Sequence, residues 1–77
     1  MDREEVFNIL CKKIKSVKDV DAFSLSDRFK EDLGFDSVDM FLLILSLEKE
    51  FKISFSEPFI VLKVEDALEF ILSHIKH

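Results

Sequence analysis

One glycine and one proline in 77 residues constrain this chain more than any other feature. Hairpins and Greek keys need residues that tolerate a positive φ or fix a turn, and a chain almost without them cannot reverse direction often. The reading is therefore all-α. At this length only one core can close, so residues 1–77 form one domain. With 48% hydrophobic and 35% charged residues the chain lies well away from compositions that stay disordered.

Three stretches carry helical periodicity. From Glu4 to about Val17, the residues Val6, Phe7, Leu10, Cys11, Ile14 and Val17 recur at three- and four-residue steps, which gathers them on one side of a helix. Lys12, Lys13 and Lys15 sit in its last turns and read as solvated charge at the negative end of the helix dipole. A second helix is expected from Asp36 to about Lys52, with Asp36 as N-cap and Asp39 in the position that completes a capping box. The last runs from Val64 to Ile75, its stripe made by Val64, Leu68, Ile71 and Ile75, with acidic residues early. A very short helix is expected at Ser56-Glu57-Pro58, where proline suits a first turn.

Lys18 to Phe35 is a long connection without a period. Loops of that length are uncommon in compact domains unless anchored, and Val20, Phe23, Leu25, Phe29 and Leu33 are the candidate anchors. Gly34 is expected to turn the chain just before the second helix.

That second helix has a surplus of apolar residues. At 100° per residue, Met40, Leu43, Ile44, Leu47 and Phe51 fall in one arc, while Val38, Phe41, Leu42 and Leu45 fall in the opposite one. One arc faces the core. The other is either covered by Phe23, Phe29 or Phe35 from the loop, or is left exposed as an interaction surface.

Net charge −5 argues against nucleic acid and for a protein partner carrying lysines and arginines. No apolar run approaches the roughly 18 residues of a spanning helix, and the charged start does not resemble a secretory signal. A cytoplasmic monomer that does not engage membranes is the expectation. Cys11, the one cysteine, permits neither an internal disulfide nor a thiolate metal site. His74 and His77 stand near the C-terminus without a nucleophile arrangement, and the acidic residues lack the alternating spacing of a calcium loop, so neither catalytic residues nor a metal are expected.

The stretch Phe29-Lys30-Glu31-Asp32-Leu33-Gly34-Phe35-Asp36-Ser37-Val38-Asp39 resembles the signature of acyl carrier proteins, whose most specific element is a Leu-Gly-x-Asp-Ser-Leu run opening the second helix. Val38 is a conservative departure from it. Leu47-Glu48-Lys49-Glu50-Phe51 is similar to the end of that helix in the family, and Val64 to Ile71 to the start of its last helix.

The resemblance implies an acyl-carrier-like fold of three main helices and one short one. It also implies a 4′-phosphopantetheine arm esterified to Ser37, with Asp36 helping a transferase hold its metal during loading. On that arm acyl groups would be carried as thioesters between biosynthetic enzymes. The implied partners are a phosphopantetheinyl transferase and acyl-transfer or synthase enzymes, meeting the second helix at Val38, Asp39, Phe41, Leu42, Leu45 and Glu48. Leu42 stands where many fatty-acid carriers have a glutamate, and Lys49 and Lys52 dilute the acidic face. A polyketide or other dedicated synthase, or an aminoacyl-type cargo, therefore stands beside general fatty-acid synthesis. The alternative is a helical adaptor that uses the exposed stripe with no prosthetic group.

Overall fold

The computed structural model describes residues 2–55 and 61–75. Among these residues three helices follow one another: α1 (Arg3–Val17), α2 (Ser37–Phe51) and α3 (Val64–Ile75). The expected short helix at Ser56-Glu57-Pro58 lies outside the described residues. Among those described, pairing of the β type is confined to an isolated antiparallel bridge between Arg28 and Lys63. Among the described residues no helix is long and apolar enough to cross a membrane.

Helix α1 begins one residue earlier than its periodicity indicates, because Asp2 caps it. The Asp2 carboxylate accepts the Glu5 N–H at 2.8 Å, meeting one of the donors a helix start leaves unpaired. Its buried edge is Val6, Leu10 and Ile14, and α1 packs on both α2 and α3. Lys13, read from the sequence as solvated charge, is instead half-buried and reaches the Glu50 carboxylate at 3.3 Å, linking α1 to α2. Periodicity within one helix cannot show a partner on another.

The long connection is anchored as expected. Phe29 and Phe35 are 1% and 2% exposed, and their rings meet at 5.3 Å between centroids. The backbone of this loop also supplies what α3 lacks. Lys63 is a poor cap residue, yet the N–H groups of Val64 and Glu65 donate to the carbonyls of Asp27 and Leu25, both at 3.0 Å. The Phe29 N–H donates to the Leu62 carbonyl at 2.9 Å, and the Asp66 carboxylate accepts from Leu62 and Lys63 N–H at 3.0 and 2.9 Å.

The two arcs of α2 separate as their angular positions require. Leu43, Ile44, Leu47 and Phe51 are buried and Met40 packs partly against them. Val38, Phe41, Leu42 and Leu45 are 64%, 61%, 48% and 41% exposed. The outer arc thus stays open while Phe29 and Phe35 belong to the core, and Phe23 packs partly against the same core. Because Leu42 is half in solvent, Leu42→Glu should leave the melting temperature close to the parent value, within the roughly ±0.5 kcal/mol usual for surface changes. Unfolding of the variant at room temperature would place Leu42 in the core.

Candidate functional site at the start of helix α2

The approach to Ser37 is built by three consecutive devices. Gly34 has φ +73°, a left-handed conformation that costs a side-chain-bearing residue energy and glycine little. The Phe35 N–H then bonds back to the Phe29 carbonyl at 2.8 Å, so the turn is closed on a buried ring. Asp36 follows as N-cap in extended backbone, and its carboxylate accepts the Asp39 N–H at 2.8 Å. The Asp39 carboxylate returns the bond to the Asp36 N–H at 3.2 Å. The capping box read from the sequence is therefore closed in both directions, with aspartate at its third helical position.

Ser37 is the first residue of α2 and is exposed. Its N–H and that of Val38 have no acceptor among the described residues, which leaves two donors and the positive end of the helix dipole directed at whatever is attached there. Ser16 and Ser73 differ, each giving its hydroxyl to a carbonyl one turn back, at 2.7 and 2.9 Å. Beside Ser37 opens an apolar groove of about 470 Å³, lined by Met40, Phe41, Ile44, Leu45, Phe55 and Val61 among others.

Of the residues expected to meet partners, Val38, Phe41, Leu42 and Leu45 are on the open face. The two acidic ones are not presented in the same way. Asp39, whose side chain is mostly covered, takes the Asp36 N–H and the Lys18 ammonium at 3.3 Å. Glu48 is half-buried and accepts the Phe55 N–H at 2.8 Å. Both carboxylates are turned toward their own chain because backbone donors near the two ends of α2 need acceptors. The capping box already implied that Asp39 turns toward the Asp36 N–H; the Lys18 ammonium and the Phe55 N–H, which complete the inward turn of Asp39 and Glu48, are brought there by the fold.

The Asp36 N–H, followed by Lys18, holds the Asp39 carboxyl below its ordinary value of 3.8. A folded-state value below the unfolded one means that these bonds contribute stability above the ordinary aspartate value. That stability is lost as pH falls from there through the depressed one. Asp39→Asn should accordingly be less stable than the parent at neutral pH, with the gap in urea midpoint narrowing below about pH 4. A gap of constant size across that range would show that the carboxylate charge contributes nothing.

The described residues thus form three helices with an exposed serine at a capped helix start beside an apolar groove. Comparison with known proteins identifies the family. The family described as "Phosphopantetheine attachment site" matches residues 4–70, and the acyl carrier protein of Campylobacter jejuni (strain RM1221) is 38% identical over 55 residues, 69% of this chain and 71% of that protein. The chain belongs to the acyl carrier protein family. The acyl carrier protein of Onion yellows phytoplasma (strain OY-M) is 46% identical over 39 residues, 51% of each protein, so the chain spans about half the length of the phytoplasma relatives it matches. The fold is shared with the solution structure of the apo doublet acyl carrier protein from prodigiosin biosynthesis, at TM-score 0.80 and 22% identity, covering 91% of this chain and 36% of that one. The matched family model thus describes a phosphopantetheine attachment site over most of the chain.

Proposed function

We propose that Ser37 is the residue that bears the 4′-phosphopantetheine group, and that the chain presents acyl thioesters on it to the enzymes of a dedicated biosynthetic pathway. The observation that carries the assignment is the exposure of Ser37 at the head of a helix whose first two N–H groups have no acceptor among the described residues. The residues present fit the group. A phosphodiester there would lie at the positive end of α2, an interaction of about 0.3–1 kcal/mol at an exposed helix end.

When bound, the group supplies a thiol on which acyl chains are held as thioesters. The chain's own residues provide the rest. Asp36 and Asp39 fix the first turn of α2, Gly34 and Phe35 fix the approach to it, and the hydroxyl of Ser37 stands where a transferase can reach it. An acyl chain brought back toward the protein meets the apolar groove lined by Met40, Phe41 and Ile44.

The proposed partners are a phosphopantetheinyl transferase and acyl-transfer or synthase enzymes. A dedicated pathway, rather than general fatty-acid synthesis, is supported by Leu42 and by the inward turn of Asp39 and Glu48, which leave α2 an apolar outer face. Peptide mapping after treatment with coenzyme A and a broad-specificity transferase tests the assignment, with the modification expected on the peptide that contains Ser37. Modification on any other serine would end it.

A further inference from the structure

We infer that Lys30 is a positioning residue for the prosthetic arm, its ammonium pairing with the phosphodiester that loading places on Ser37. The inference rests on the reading of Ser37 as the attachment site and deepens it, by naming the side chain of this chain that holds the attached group.

Two observations carry it. The first is placement. Lys30 and Ser37 both line the apolar groove beside the head of α2. The carbonyl of the Phe29–Lys30 peptide accepts the Phe35 N–H at 2.8 Å, so the turn that starts at Lys30 closes two residues before Ser37. The rings of Phe29 and Phe35 are buried on either side of it. The backbone roots of Lys30 and Ser37 are thus fixed by the core, while the Lys30 side chain is exposed and carries its charge on a flexible four-carbon stem.

The second observation is charge. Loading adds a negative phosphodiester where carboxylates already gather: Asp36 is the adjacent residue and is exposed, and Glu31 lines the same groove. Glu48, which also lines it, is bonded to the Phe55 N–H. The neighbouring cations are committed elsewhere, Lys18 to Asp39 and Arg28 to Asp32, each at 3.3 Å. Among the described residues Lys30 is the one cation that lines the groove, and it has no carboxylate within ion-pair distance, its chain neighbour Glu31 included. An ammonium there offsets the repulsion between the new charge and Asp36 and Glu31, and donates to phosphate oxygens.

Loading isotope-labelled protein with coenzyme A and a broad-specificity transferase should move the Cε–Hε signals of Lys30 and leave those of Lys12, on α1, in place. In the loaded protein the phosphorus NMR resonance of Lys30→Gln should differ from the parent's at about 0.01 M salt. The difference should shrink toward about 1 M, as the screening length falls from about 30 Å to about 3 Å. Lys30→Arg, which keeps the charge, should lie closer to the parent. In urea, loading should lower the unfolding constant of the parent about two- to fivefold more than that of Lys30→Gln, the range of an exposed ion pair. Unmoved Lys30 signals, an identical phosphorus resonance in Lys30→Gln, or a difference that salt leaves unchanged would overturn the proposal. Peptide mapping of the same loaded sample keeps the two readings apart. Modification on Ser37 with unmoved Lys30 signals removes the role of Lys30 alone, whereas modification mapped to another serine removes the attachment site and the role of Lys30 with it.

Discussion

Ser37→Ala should stay entirely at its unmodified mass when the parent, treated alongside with coenzyme A and a broad-specificity phosphopantetheinyl transferase, is converted to completion. The effect is all or none because a methyl group offers no oxygen for the phosphodiester. The fold should not suffer, since Ser37 is exposed and the caps of α2 come from Asp36 and Asp39. A helical spectrum equal to the parent's would therefore accompany the loss. Four of the other serines already have their hydroxyls engaged: Ser16 and Ser73 donate to carbonyls of their own helices, and Ser24 and Ser26 share a hydrogen bond with each other. Full modification of Ser37→Ala would remove the site from α2.

The largest loss of stability is expected from Phe29→Ala. The ring is 1% exposed and packs on Phe35, and truncating a buried phenylalanine costs about 3–5 kcal/mol. A domain of 77 residues has a total stability of roughly 4–12 kcal/mol at 0.05–0.15 kcal/mol per residue. The variant should thus have a sharply lower urea midpoint, or be largely unfolded at room temperature, while Phe29→Leu should recover most of the loss. A change below about 1 kcal/mol would mean that the loop rides on the surface rather than forming part of the core. The result also bears on Ser37. The Phe35 N–H is held by the Phe29 carbonyl, so the turn that delivers the α2 cap depends on the same residue.

The three helices were legible in the sequence because each writes its buried side as a repeat of apolar residues. The capping box at Asp36 and Asp39 was legible because its members stand three apart. The separation of the two arcs of α2 followed from angle alone. What angle could not decide was whether the loop's phenylalanines cover the outer arc, because that depends on where the loop travels in space. The inward turn of Glu48 and the contact of Lys13 with Glu50 were hidden for the same reason. Each joins groups whose nearness is created by folding. The capping of α3 was the least visible feature of all, since backbone carbonyls are present at every residue and carry no side-chain signature.

That capping has a kinetic side. The first turn of α3 is completed by carbonyls of Leu25 and Asp27, nearly half the chain away, so closing it incurs the entropy of a long loop before α3 is fully hydrogen-bonded. A bundle of local helices ordinarily folds quickly because its contacts are near in sequence. Here the start of the last helix is expected to form only once the first connection has settled. When that connection loosens, the amides of Val64 and Glu65 open to solvent with it. The segment leading to Ser37 and the head of α3 should therefore exchange with water together, although they lie far apart in the chain.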